Sequence, residues 1–123
     1  MTVNEALIPT GTEPVAGIYD LNDDPTLEGR SFDDAWVDVD RADDGTTTTT
    51  RPDGIEVKLI GDATINAWQC YTATGAPFAE HPYGIAVEPM TAPANAFRTG
   101  DHLVTIAPGD DYTTVVRYEV SAK

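Results

Sequence analysis

The sequence predicts one antiparallel all-β domain covering residues 1–123, and three observations favour a β-sandwich. Short segments rich in β-branched and apolar residues recur along the chain, separated by residues typical of turns. Apolar and charged residues alternate over 55–60, which is the period of a strand with one buried face. Sustained apolar spacing at the helical period is absent from the sequence.

The elements are predicted in the following order. Proline-broken extended segments occur at 7–11 and 14–17, and residues 20–31 have no predicted regular structure. Strands are predicted at 35–40, 46–50, 55–60, 68–72, 84–87, 103–106 and 113–120, with turns at 41–45 and 52–54. The threonine run 46–50 is predicted as a strand because β-branched side chains suit a pleated surface.

Composition narrows the classes of partner and compartment. Twenty-one Asp and Glu against seven Lys and Arg give a formal charge of -14, which repels nucleic acid and anionic lipid, so neither is expected as a partner. A solvated acidic surface explains this charge, and a halophilic source or a cationic partner is the alternative. No apolar run approaches the ~20 residues of a membrane-spanning helix, and the N-terminus lacks a signal-peptide pattern. We therefore expect a cytoplasmic protein.

Glu88 is the carboxylate that the sequence singles out. The apolar segment 84–87 precedes it, and Pro89 favours an extended conformation for the residue before it. The stretch 93–100 is predicted as a shaped loop rather than a helix. A carboxylate held at a strand end beside a loop is suited to proton transfer, so Glu88 is a candidate reactive group.

The run 84–100, Gly-Ile-Ala-Val-Glu-Pro-Met-Thr-Ala-Pro-Ala-Asn-Ala-Phe-Arg-Thr-Gly, resembles the C-terminal signature of the aldose 1-epimerases, also called galactose mutarotases. Further segments resemble that family in the family's order, at 7–11 followed by 14–17, then at 32–36, 68–72 and 100–109. The resemblance covers most of the chain. It implies part of a galactose mutarotase-like supersandwich, of which this chain would be the C-terminal portion without the N-terminal half.

The resemblance also implies site residues and an activity. The family's glutamate is the catalytic base, its aspartate in an aromatic-ended motif binds sugar hydroxyls, and a strand glutamine lines the sugar site. By position these are Glu88, Asp33 and Gln69, and Asp34 is the neighbour that can be confused with Asp33. The implied activity is that of an isomerase which interconverts the α and β anomers of hexoses such as galactose and glucose. No cofactor and no metal are implied.

Two histidines of the family, one of them the general acid, belong to the N-terminal half and have no counterpart here. His81 and His102 are the only histidines, and both fall in loop-like stretches where exposed residues are expected. A site with the base but not the acid is expected to be impaired. The alternative is a non-catalytic carbohydrate-binding or interaction module of the same fold. Uncovered sheet edges also predict a homo-oligomer or a partner chain that supplies the N-terminal half.

The remaining candidates carry less weight. Trp68 or Phe97 would suit an apolar wall for the sugar, although core packing is the expected role of each. The aspartates of 38–45 resemble a calcium loop only weakly, and a turn explains them. A glycosidase-type pair of Asp33 and Glu88 is a further reading that the motif match disfavours. The lone cysteine, Cys70, is expected to be a buried strand residue.

Overall fold

The computed structural model describes residues 1–39, 46–50, 53–73 and 84–122. These residues form antiparallel sheets with almost no helix, which confirms the all-β prediction. The strands are β1 (Thr2–Val3), β2 (Pro9–Gly11), β3 (Asp33–Val37), β4 (Thr46–Thr50), β5 (Ile55–Gly61), β6 (Ala67–Ala73), β7 (Gly84–Met90) and β8 (Val116–Ala122). A 3-10 turn at Gly17–Tyr19 and one helical turn, α1 (Ala96–Thr99), complete the regular structure of this part of the chain.

Two three-stranded sheets make up the body of the fold. One has the order β3-β6-β7 and is called here the β6 sheet, and the other has the order β4-β5-β8 and is called the β5 sheet. The short strands β1 and β2 pair separately. Every neighbouring pair is antiparallel. The finer prediction of a mutarotase-like supersandwich stays a prediction.

Several predicted strands agree closely with the observed ones, and the boundaries of others shift. Strands β4, β5 and β6 lie within one residue of their predicted ends. Strand β3 ends at Val37 because Asp38 adopts a φ of 51°, which turns the chain out of the extended conformation. Strand β8 begins at Val116 rather than at residue 113. The predicted turn 41–45 lies outside the described residues.

The strand predicted at 103–106 is wrong, because these residues are coil. Leu103 and Ile106 are 38% and 54% exposed. Among the described residues this segment pairs with no strand, so its apolar character alone does not make it one. His102, at a φ of 51°, turns the backbone just before it.

The loop predicted at 93–100 is also wrong in part, since it contains α1. Asn95 precedes this helical turn at a φ of 67°, and Gly100 follows it at a φ of 83°. Both residues tolerate the left-handed conformation, Gly because it has no Cβ and Asn because its side chain bonds locally. The two left-handed residues confine the helix to a single turn, too short to show a helical period in the sequence.

The two sheets share a small apolar core. Leu59 of β5, Trp68 of β6 and Ile65 of the intervening loop are buried together. Val57, Val87 and Val116 pack against them. The predicted burial of one face of β5 is therefore confirmed for Leu59, whereas Ile55 and Val57 on that face are half-buried and Ile60 on the opposite face is buried as well.

A second apolar cluster packs around the start of β3. Phe32 is 2% exposed and meets Trp36 edge-on, with ring centroids 5.5 Å apart, while Tyr19 lies 6.1 Å from Phe32. The buried Thr72 bonds to the Phe32 backbone through its N–H, which donates to the Phe32 carbonyl, and through its hydroxyl, which accepts from the Phe32 N–H and donates to the Phe32 carbonyl at 3.4 Å. This clamp fixes the chain just before Asp33.

Gly61 is the glycine whose replacement has a clear steric consequence. A Cβ at this position would lie 2.7 Å from Cγ1 and 3.0 Å from Cβ of Ile65, which is 2% exposed and held in the core. We expect Gly61→Ala to lower the free energy of unfolding by about 1–3 kcal/mol, measured by urea denaturation. Gly84→Ala is the control, because its new Cβ would lie 3.6 Å from Ala73, an ordinary contact. Equal losses in the two variants would refute the steric explanation.

Candidate functional site

The β6 sheet brings the three predicted site residues together. Glu88 of β7 lies directly opposite Gln69 of β6, and Ala35 of β3 lies opposite Gln69 on its other side. Side chains two residues apart in a strand share a face, so Asp33 lies on the same face as Ala35. Asp33, Gln69 and Glu88 therefore occupy one face across three adjacent strands, and we call this the Gln69 face.

The Gln69 side chain is the centre of this face. Its Nε2 donates to Oδ1 of Asp33 at 2.9 Å. Directly opposed residues in an antiparallel pair have Cβ atoms about 4.5–5.5 Å apart, which puts Glu88 beside Gln69. An amide both donates and accepts, whereas carboxylates only accept. The arrangement suits hydroxyl groups, because each hydroxyl can donate a hydrogen bond to a carboxylate and accept one from the amide.

The Gln69 face is open rather than enclosed. Asp33 and Glu88 are exposed, and Gln69 is half-buried. The described residues line cavities of about 200 and 80 Å³, neither of which includes these three side chains. The larger is lined by Asp38, Val39, Ile65, Asn66 and Trp68, at the far end of β3 and β6. Within the described residues, the candidate site is thus a shallow surface.

The geometry separates Asp33 from its neighbour Asp34. Asp34 pairs with Cys70 and therefore lies on the face opposite Gln69. Its Oδ2 accepts from the Asp33 backbone N–H at 3.2 Å. By position the sequence favoured Asp33, with Asp34 as the neighbour that can be confused with it. In the structure only Asp33 shares a face with Gln69 and Glu88.

Glu88 lies within a strand, and its predicted position at a strand end is wrong. Strand β7 continues through Pro89 to Met90. Proline removes a backbone donor, so it is tolerated in a sheet where that position faces no partner strand. In the described part of the chain β7 is an edge strand of the β6 sheet, the kind of strand in which proline is found. Strand pairing with β6 therefore fixes the Glu88 backbone on both sides of the residue.

The two aromatic residues considered for an apolar wall have different environments. Trp68 is 7% exposed and belongs to the core cluster, so its expected core role is confirmed. It lies opposite Trp36 and Pro89, on the face away from Gln69. Phe97 projects from α1 and is 96% exposed, so the expectation that it packs in the core is wrong.

Sequence reasoning missed Tyr71. It lies directly opposite Asp33, two residues beyond Gln69 on β6, and therefore shares the Gln69 face. Its side chain is 38% exposed. Tyrosine offers an apolar ring with a polar tip, a combination that suits the faces of a sugar ring. The strand period of two was the signal that would have identified it.

Neither histidine is placed on the described strands of this face. His102 is exposed in the turn after Gly100. His81 lies outside the described residues. Strands β3, β6 and β7 contain no histidine. Across these three strands the Gln69 face presents two carboxylates, an amide and a phenol.

Cys70 lies on the reverse of the Gln69 face and is 7% exposed, as expected for a buried strand cysteine. Burial raises the pKa of the thiol to about 11, and the negative charges of Asp34 and Glu88 add to this effect. The thiol is therefore protonated at neutral pH and is a poor nucleophile.

The raised pKa of Cys70 predicts a loss of stability at alkaline pH. The unfolded thiol has a pKa of 9.0 and the folded thiol one of about 11, so between these values the unfolded chain releases its proton first. The stability that comes from keeping the Cys70 thiol protonated is fully present below pH 9.0 and is lost as the pH rises to about 11. The loss of stability is on the order of 2 kcal/mol. Urea unfolding of the wild type and of Cys70→Ala across this range checks it, since only the wild type should show this component.

The described residues contain neither a candidate membrane-spanning helix nor a candidate metal cluster. No helix there has the length and apolar character needed to cross a membrane. Within the same ranges, His, Cys, Asp and Glu side chains form no group of three that would hold a metal ion. Compared with protein-family models, with curated proteins and with solved structures, this chain shows no match.

Proposed function

We propose that this protein is an aldose 1-epimerase-like domain that interconverts the anomers of hexoses such as galactose and glucose in the cytoplasm. Glu88 is the general base, and Asp33 and Gln69 hold sugar hydroxyls. The observation that supports this most is the Gln69 Nε2 hydrogen bond to Asp33, on the face where Glu88 stands directly opposite Gln69. The sequence resemblance names the same three residues independently of their geometry.

The reaction requires one proton to leave and another to arrive. Glu88 takes the proton from the anomeric hydroxyl while the ring oxygen gains a proton from an acid, and the bond between C1 and the ring oxygen breaks. The open aldehyde turns about its C1–C2 bond and closes on its other face, with both protons returned. A well-placed general base contributes about 10²–10⁴-fold to such a step.

The other residues of the face orient the sugar. Asp33 and Gln69 are joined at 2.9 Å, so each restricts the rotamers of the other. Fixed acceptors and donors place the anomeric carbon relative to Glu88, and such positioning lowers the entropic part of the barrier. The ring of Tyr71, beside Asp33, provides the apolar contact.

The acid would come from outside the described strands, in line with the family's histidine. We therefore expect slow conversion by this chain alone and faster conversion when imidazole supplies the acid. Polarimetry on freshly dissolved α-galactose and α-glucose measures both rates. Protein and imidazole together should exceed the sum of their separate rates. If the combined rate equals that sum, Glu88 and an external acid do not act together and the proposal fails.

Sugar binding without turnover is a second candidate, favoured by the absence of histidine from β3, β6 and β7. A module of this kind would bind hexose saturably in calorimetry and leave the polarimetric rate unchanged. Absence of both binding and turnover would contradict both candidates.

Asp33 and Asp34 provide a matched pair of variants. Asp33→Asn is expected to weaken hexose binding about tenfold, because it replaces a charged acceptor that contacts sugar hydroxyls. Asp34→Asn removes the same charge from the opposite face and should leave binding unchanged. Calorimetric titration with galactose compares the two. Equal weakening would point to net charge rather than to the Gln69 face.

A further inference from the structure

Strand β8 forms an open edge of the β5 sheet. It spans Val116–Ala122, pairs with β5 on one side, and has no strand on its other side among the described residues. Residues 117–122 are exposed. Open edges of this length are templates for another strand, and natural sheets usually protect them with proline, a bulge or inward-pointing charges. Strand β8 contains no proline, and its register with β5 is continuous.

The hydrogen-bond pattern identifies which residues face the open edge. The Asp62 N–H donates to the Val115 carbonyl at 3.1 Å, one step beyond the Gly61–Val116 pair. Bonded and non-bonded pairs alternate along an antiparallel ladder. Odd-numbered residues of β8 therefore bond to β5, and the N–H and C=O groups of Val116, Tyr118 and Val120 point to the open edge.

The side chains of β8 form a self-complementary pattern. Arg117 and Glu119 lie on one face, where Arg117 Nε contacts Glu119 Oε1 at 3.0 Å. When a second β8 pairs antiparallel about a two-fold axis through Tyr118, each Arg117 lies opposite Glu119 of the other copy. On the other face, Tyr118 meets Tyr118, and Val116 meets Val120. Tyr118 and Val120, now 62% and 69% exposed, gain apolar neighbours.

We propose that β8 is a self-association edge at which a second copy of this chain adds its own β8, antiparallel and centred on Tyr118, to give a continuous six-stranded sheet. The outward-facing N–H and C=O groups then meet as bonded pairs, each exchanging two hydrogen bonds. The pairing is isologous, as closed two-fold dimers require. It involves the β5 sheet rather than the Gln69 face, so it holds whether or not the proposed sugar chemistry does.

Charge selects this register over its neighbours. A two-fold axis at residue 119 would put Glu119 opposite Glu119, and an axis at residue 117 would put Arg117 opposite Arg117. Like charges directly opposed are destabilising. Of these three axes, only the one at Tyr118 places opposite charges across from each other. Each copy has a formal charge of -14, so association is best measured near physiological ionic strength, where screening acts over about 8 Å.

Sedimentation velocity over a range of concentrations tests the proposal. The wild type should form a dimer that Tyr118→Pro abolishes, because proline removes an outward N–H and blocks the edge. The same change leaves the bonds to β5 intact, since the Tyr118 N–H does not point to β5. Circular dichroism checks that the fold is kept. A monomeric wild type, or a dimer that persists in Tyr118→Pro, would overturn the proposal.

Charge reversal tests the register without proline. Arg117→Glu and Glu119→Arg each create like-charge pairs across the axis and should weaken the dimer about tenfold. The double variant Arg117→Glu/Glu119→Arg restores opposite charges and should recover the wild-type dimer constant. A double variant as weak as the two single variants would contradict the pairing about Tyr118.

Discussion

Phe32→Ala is expected to remove a large part of the stability of the domain. Phe32 is 2% exposed, meets the rings of Tyr19 and Trp36, and precedes the strand that carries Asp33. Removing a buried phenylalanine side chain costs about 3–5 kcal/mol, against a typical total of about 5–15 kcal/mol for a domain. Urea denaturation followed by circular dichroism measures the loss.

Phe97→Ala is the control for that experiment. Phe97 is 96% exposed on α1, so the same truncation should change the free energy of unfolding by less than about 0.5 kcal/mol. If Phe32→Ala cost no more than Phe97→Ala, the cluster before β3 would contribute nothing to stability.

Glu88→Gln is expected to abolish anomer conversion while leaving the fold intact. The amide has nearly the shape of the carboxylate but does not accept a proton at neutral pH, so the base contribution of about 10²–10⁴-fold is lost. Glu88 is exposed, so the change buries no unpaired group. Polarimetry with added imidazole gives the rate, and thermal unfolding confirms the fold.

Glu5→Gln, at an exposed position near the N-terminus, removes an equal charge far from the Gln69 face in the sequence. It should retain the wild-type rate. Undiminished turnover in Glu88→Gln would exclude Glu88 as the base. A rate reduced equally in both variants would indicate an effect of overall charge.

The sequence predicted the fold best where local pattern and pairing agree. Alternating residues in β5 and the threonines of β4 form strands because each found a partner strand in register. The segment 103–106 has the same apolar character but no partner in the described chain, so it remains coil. Pairing over long sequence separations is not encoded in a local pattern. The helical turn α1 was missed because one turn is too short to show a period.

The sequence predicted which residues form the candidate site, but their arrangement in space became known only from the register of the sheet. The resemblance named Asp33, Gln69 and Glu88, but only the register of β3, β6 and β7 places them on one face. The same register separates Asp34 and adds Tyr71. A motif match compares positions along the chain, whereas a binding face depends on which side of the sheet each side chain occupies.

The most direct test of the Gln69 face as a hexose site is a ¹⁵N nuclear magnetic resonance titration with galactose. We expect saturable shifts of the Gln69 side-chain amide and of the backbone amides of Asp33, Gln69 and Glu88, and weaker shifts in Asp33→Asn. This readout does not depend on turnover or on the missing acid. Unchanged signals at these positions with millimolar sugar, or shifts confined to other parts of the chain, would contradict it.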